Sequence, residues 1–93
     1  MRRLEICRKN IVLDNFVEKT LVYYITIDDI YDLRSSMPYE SYGVGISLGN
    51  IETREIYGVT FSCDKIISLA NLLSNALVTP VTLCDIVSDW LCL

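Results

Sequence analysis

Between residues 20 and 27 the side chains alternate along an extended backbone: Leu21, Tyr23, Ile25 and Ile27 share one face, and Val22, Tyr24 and Thr26 the other. β-Branched and aromatic residues dominate both faces, which predicts a central strand. A second alternating run covers residues 42–48, with Tyr42, Val44, Ile46 and Leu48 opposed to Gly43, Gly45 and Ser47. Gly49-Asn50 follows as a hairpin signal, and residues 53–61 return as the antiparallel partner. Ahead of these, Leu4 and Ile6 alternate with Arg3, Glu5 and Cys7, and Ile11-Val12-Leu13 runs into a turn at Asp14-Asn15. Residues 28–41 are polar and tyrosine-rich, carry Ser35-Ser36-Met37-Pro38 as a breaker, and read as one long loop.

The period changes after Phe61. Ser62 as N-cap and Asp64 in the first turn open a helix over residues 63–77, where Ile66, Ile67, Ala70, Leu73 and Leu77 recur at helical spacing. Thr79 and Pro80 start a second helix, with Leu83, Ile86, Val87, Trp90 and Leu91 on its apolar stripe and Asp85, Ser88 and Asp89 opposite. Strands first and helices last define an α+β domain: an antiparallel meander of three to four strands, then two C-terminal helices packed on one sheet face. The 93 residues make one domain, with an edge strand and turn in residues 1–19, the sheet in 20–61 and the helices in 62–93. The expected core is Leu21, Tyr23, Ile25, Val44, Ile46, Ile66, Ile67, Ala70, Leu73, Leu83, Ile86, Val87 and Trp90.

Three stretches resemble one family. They are Tyr42-Gly43-Val44-Gly45-Ile46, the step from Ser62 and Asp64 into a leucine-rich helix, and the run from Thr79-Pro80-Val81-Thr82-Leu83 through Asp85-Ile86-Val87-Ser88-Asp89-Trp90-Leu91. The family is a group of small proteins from anaerobic Gram-positive bacteria and their mobile elements, known as a domain of unknown function. The likeness extends over roughly residues 20–91, and Thr82 departs from it where members often carry histidine. It implies a shared fold and supplies no activity.

Charge and composition narrow the function. The net charge is −4 and it is unevenly spread: residues 1–19 hold five cations against three carboxylates, and residues 20–93 hold three against nine. Such a surface repels phosphate, so direct nucleic-acid binding is not expected. Neither is a membrane-spanning helix, and Glu5, Arg8 and Lys9 interrupt any apolar signal segment near the start. The expected location is the cytoplasm, where Cys7, Cys63, Cys84 and Cys92 stay reduced; no two of them form a C-x-x-C pair.

The chemistry-bearing residues are sparse. With no histidine, imidazole acid–base catalysis is excluded, and Cys63 at a helix start has no base to activate it. Asp28, Asp29 and Asp32 lack the alternation and central glycine of a calcium loop, and Gly43-x-Gly45 sits in a strand, where glycine lets a helix or another backbone approach closely. No enzyme, metal or cofactor is expected. The expected function is a small non-enzymatic, regulatory protein-interaction module, with Asp28, Asp29, Tyr31, Asp32, Tyr39, Glu40, Tyr42, Asp85 and Asp89 as partner-binding residues, since tyrosine is enriched at interfaces. The partner is another protein, or a second copy closing over an uncovered sheet face. The alternative is an acidic inhibitor that mimics nucleic acid, in the manner of anti-CRISPR proteins, placing Asp28, Asp29, Asp32, Glu40, Glu52 and Glu55 in the basic groove of a nuclease.

Overall fold

A computed structural model describes residues 1–12, 16–30 and 39–92. Strands β1 (Arg2–Val12), β2 (Glu18–Ile30), β3 (Tyr39–Leu48) and β4 (Glu52–Thr60) lie side by side in chain order as an antiparallel meander. Helix α1 (Cys63–Asn75), a 3-10 turn at Pro80–Thr82 and helix α2 (Leu83–Leu91) follow, so the α+β architecture is the one the periodicities predict.

The strands are longer than the alternation alone suggests. β1 is one continuous strand that pairs with β2 from Arg2 to Val12, with an irregularity between Glu5 and Cys7 that lets the ladder resume. β2 runs on through Asp28 and Asp29, and β3 begins at Tyr39, with Asp28 opposite Ser41, Asp29 opposite Glu40 and Ile30 opposite Tyr39. The loop expected over residues 28–41 is therefore strand at both ends, while residues 31–38 lie outside the described residues. Polar composition misleads there because the ladder of two central strands carries the backbone. Arg2 reaches over to both carboxylates, 3.2 Å from Asp29 and 2.5 Å from Glu40.

At the other end of the hairpin Gly49 takes φ 53°, and the Ile51 amide donates to the Leu48 carbonyl at 3.1 Å. β4 then shifts register between the partners of Tyr42 and Val44, with Gly58 at φ 63°. That bulge brings its backbone up against Gly43.

Helix α1 starts where the Ser62 hydroxyl accepts the Lys65 amide at 3.3 Å. It ends two residues short of its expected limit in a Schellman arrangement: Val78 N–H bonds Leu73 C=O at 3.0 Å, Leu77 N–H bonds Ser74 C=O at 3.2 Å, and Leu77 adopts φ 52°. The Tyr23 hydroxyl, buried beneath, donates to the Val78 carbonyl at 2.8 Å and ties the end of the helix to the sheet. Residues 66–84 carry no charge, but this turn and Pro80 divide them between two elements. No helix among the described residues is long and apolar enough to cross a membrane.

The core lies between α1, α2 and one face of the sheet. Leu21, Tyr23 and Ile25 of β2 and Val44 and Ile46 of β3 meet Ile66, Leu69, Ala70 and Leu73 of α1, with Val78, Leu83 and Val87 completing the cluster. Leu69 and Val78 were not among the expected core residues, and Ile67, Ile86 and Trp90 are half-buried at its margin. Trp90 lines a shallow groove with Val59, Thr60, Lys65 and Leu91.

Candidate functional site

The opposite sheet face has no helix against it among the described residues. Alternation places Arg3, Glu5 and Arg8 of β1 there, with Tyr24, Thr26 and Asp28 of β2, Tyr39, Gly43 and Gly45 of β3, and Glu55 of β4. Both glycines are required by what lies on them. A Cβ at Gly45 would enter the ring of Tyr24, and one at Gly43 would meet the Ile56 carbonyl and the Thr26 hydroxyl. The pair forms a trough in β3, and neighbouring side chains fold down into it.

Tyr24 lies in this trough only 8% exposed, and Thr26 is fully buried. Over them runs an ion pair linking the two edge strands. Arg3 of β1 donates to both carboxylate oxygens of Glu55 on β4, from Nε at 2.9 Å and from Nη2 at 3.2 Å. Three strand spacings of ~4.8 Å separate those strands, which an extended arginine and a glutamate together bridge. Bonding from Arg3, helped by Tyr57 and Tyr24, holds the Glu55 carboxyl below its usual range against the opposing effect of burial. Burial beside Glu55 pushes the Tyr24 phenol up to about 12. Thr26 Oγ1, beneath this layer, has no hydrogen-bond partner among the described residues.

One end of the face escapes this covering. Tyr57 is 51% exposed, Tyr39 42% and Phe61 68%. Tyr39 and Phe61 meet edge to face, their ring centroids 5.4 Å apart, beside Ile30, which is the cross-strand partner of Tyr39. Asp28 lies on the same face one register step inward from Ile30 and Tyr39.

The sheet separates the residues expected to form one partner-binding surface. Asp28 and Tyr39 are on the helix-free face. Asp29 and Glu40 are on the other side, paired with Arg2, and Tyr42 is there too, where Cys63 sits beside its hydroxyl. Asp85 and Asp89 are exposed on α2. Tyr31 and Asp32 lie outside the described residues. Of the carboxylates expected to mimic nucleic acid, Glu52 pairs with Arg54 at 3.7 Å and Glu55 with Arg3, so with Asp29 and Glu40 four of the six have an internal cation. No group of three or more metal-ligating side chains is found among the described residues. Sequence reasoning singled out Glu55 as a mimic carboxylate but did not join it with Arg3, Tyr24, Tyr57 and Phe61. The available signal was the pair of glycines, Gly43 and Gly45, on one face of a strand, which marks a close approach there.

The chain belongs to a family of unknown function, DUF6514, whose model matches residues 2–93. No curated protein and no solved structure matches it.

Proposed function

We propose that this chain is a small, non-enzymatic protein-interaction module with a regulatory role in the cytoplasm. It engages its partner through the aromatic end of the helix-free sheet face. The observation that carries the reading is the contrast within that face: its centre is closed by its own side chains, while Tyr39, Tyr57 and Phe61 are left open beside it. Aromatic anchors of this kind supply most of the energy at interfaces, and burying one exposed Phe is worth about 2 kcal/mol. The internal pairing of Asp29, Glu40, Glu52 and Glu55 supports this reading over a nucleic-acid mimic, because a mimic needs its carboxylates free to meet a basic groove. A catalytic role lacks support in the chain, which contains no histidine and whose four cysteines are free thiols.

Affinity purification from the native host tests the proposal, using the wild-type chain, Phe61→Ser and an Asp85→Asn/Asp89→Asn control, each washed at graded salt. A partner held through moderate salt by wild type and control, and lost by Phe61→Ser, is the expected result. A nuclease released from all three as salt rises would make the chain an electrostatic inhibitor instead.

A further inference from the structure

The charge on the molecule is divided along the strands. Among the described residues, the end of the sheet that carries the open aromatics holds Asp28, Asp29, Glu40 and, at the start of α1, Asp64, against the side-chain cations Arg2 and Lys65. At the opposite end, among the described residues, Arg8, Lys9, Lys19 and Arg54 outnumber Glu18 and Glu52. On the helix-free face the difference is sharper. Arg3 is held by Glu55 and Arg8 by Glu5, at 2.9 and 2.8 Å, whereas Asp28 has no ion pair among the described residues. Among the described residues, a carboxylate without an ion pair thus sits beside an exposed tyrosine–phenylalanine pair, at the end of the sheet richer in carboxylates.

From this juxtaposition we infer that the surface formed by Asp28, Ile30, Tyr39 and Phe61 accepts a cationic, partly apolar peptide segment of a partner protein. A guanidinium or ammonium group sets against the Asp28 carboxylate, its stem lies over the rings of Tyr39 and Phe61, and neighbouring apolar side chains cover Ile30. The ring faces attract a cation through their quadrupole, and the carboxylate adds a charge-assisted hydrogen bond. An acidic segment would meet unpaired like charge at the same place, so the surface discriminates as well as binds. The inference rests on the interaction role proposed above and specifies the chemistry of the partner.

The test is a titration of the isotopically labelled chain followed by amide chemical shifts, with three end-blocked octapeptides as probes: alternating Arg and Leu, alternating Gln and Leu, and alternating Glu and Leu. The expected result is saturable shifts at Asp28, Ile30, Tyr39 and Phe61 with the arginine peptide alone. Asp28→Asn should weaken that binding about fivefold, the scale of one partly exposed ion pair. Phe61→Ser and Tyr39→Ser, both at exposed positions, should each abolish the site-specific shifts while leaving the rest of the spectrum folded. Equal binding of the arginine and glutamine peptides at these residues would overturn the cationic preference and leave the interaction surface standing. Shifts centred on Asp85 and Asp89 of α2, or no saturable shift with any peptide, would overturn both.

Discussion

Thr26 illustrates how much of this molecule is decided by single side chains on the face that no helix covers. Its hydroxyl is buried above Gly43 without a partner among the described residues, and an unmet buried hydroxyl costs about 1–3 kcal/mol. Thr26→Val keeps the shape, removes the orphan group and suits a strand, so urea denaturation should find the variant more stable by about 1 kcal/mol. Glu55 behaves oppositely, since its carboxyl is held below its ordinary range by Arg3. A carboxylate with a depressed folded-state pKa stabilises above its unfolded value, and that contribution is lost as pH falls through the folded one. Glu55→Gln should therefore cost about 1 kcal/mol at neutral pH, a modest figure because Arg3 is half exposed, and should flatten the acid limb of stability against pH. An acid limb unchanged by the substitution would contradict the Arg3–Glu55 ion pair. These residues were only half legible. The shared face of Tyr24 and Thr26 in one strand and of Gly43 and Gly45 in another was readable; a helix or backbone was expected close to the glycines, and backbone does meet Gly43 while the Tyr24 ring fills the space at Gly45. The Arg3–Glu55 pair was not readable, because it joins positions that only the four-strand topology brings across from one another.

Among the elements, α1 ends two residues short of its expected limit. The apolar repeat runs on to Leu77, so periodicity extends the helix there; the backbone instead leaves at Asn75 with Leu77 in the left-handed region. Glycine is the usual residue at that position, and a leucine accepts the strain because Val78 is then delivered to the core and to the Tyr23 hydroxyl. Leu77→Gly should raise the thermal unfolding midpoint, corresponding to about 0.5–1 kcal/mol, since relief of the strain exceeds the loss of a half-exposed side chain. A lower midpoint would mean that Leu77 contributes more by contact than it costs in strain. In α2 the apolar stripe was legible, but its two ends are unequal: Leu83 is fully buried and Trp90 is not. Leu83→Ala should cost about 2–5 kcal/mol, and Trp90→Ala less than the 3–5 kcal/mol of a buried aromatic, in paired denaturation curves. The strand extensions at Asp28–Ile30 and Tyr39–Ser41 were hidden for a different reason. Asp, Glu and Ser are poor strand formers alone, and the cation that bonds the opposed carboxylates Asp29 and Glu40 is Arg2, from a strand distant in sequence.

At the scale of the whole molecule, the order of strands and helices was legible because period-2 and period-3.6 patterns occupy separate halves of the chain. The division of the second sheet face was not, because it depends on which strand lies over which glycine. One face of the sheet is closed by α1 and α2, and the other is closed at its centre by Tyr24, Arg3 and Glu55 and open at the end near Tyr39, Tyr57 and Phe61. That division is what the functional reading stands on, and the tyrosines report it directly. Photochemically induced nuclear polarisation, with a flavin dye that reaches only accessible phenol rings, measures it on the intact chain. The account predicts strong signals from Tyr39 and Tyr57 and none from Tyr23 or Tyr24. A Tyr24 signal as strong as that of Tyr57 would contradict it, because the centre of the helix-free face would then be open.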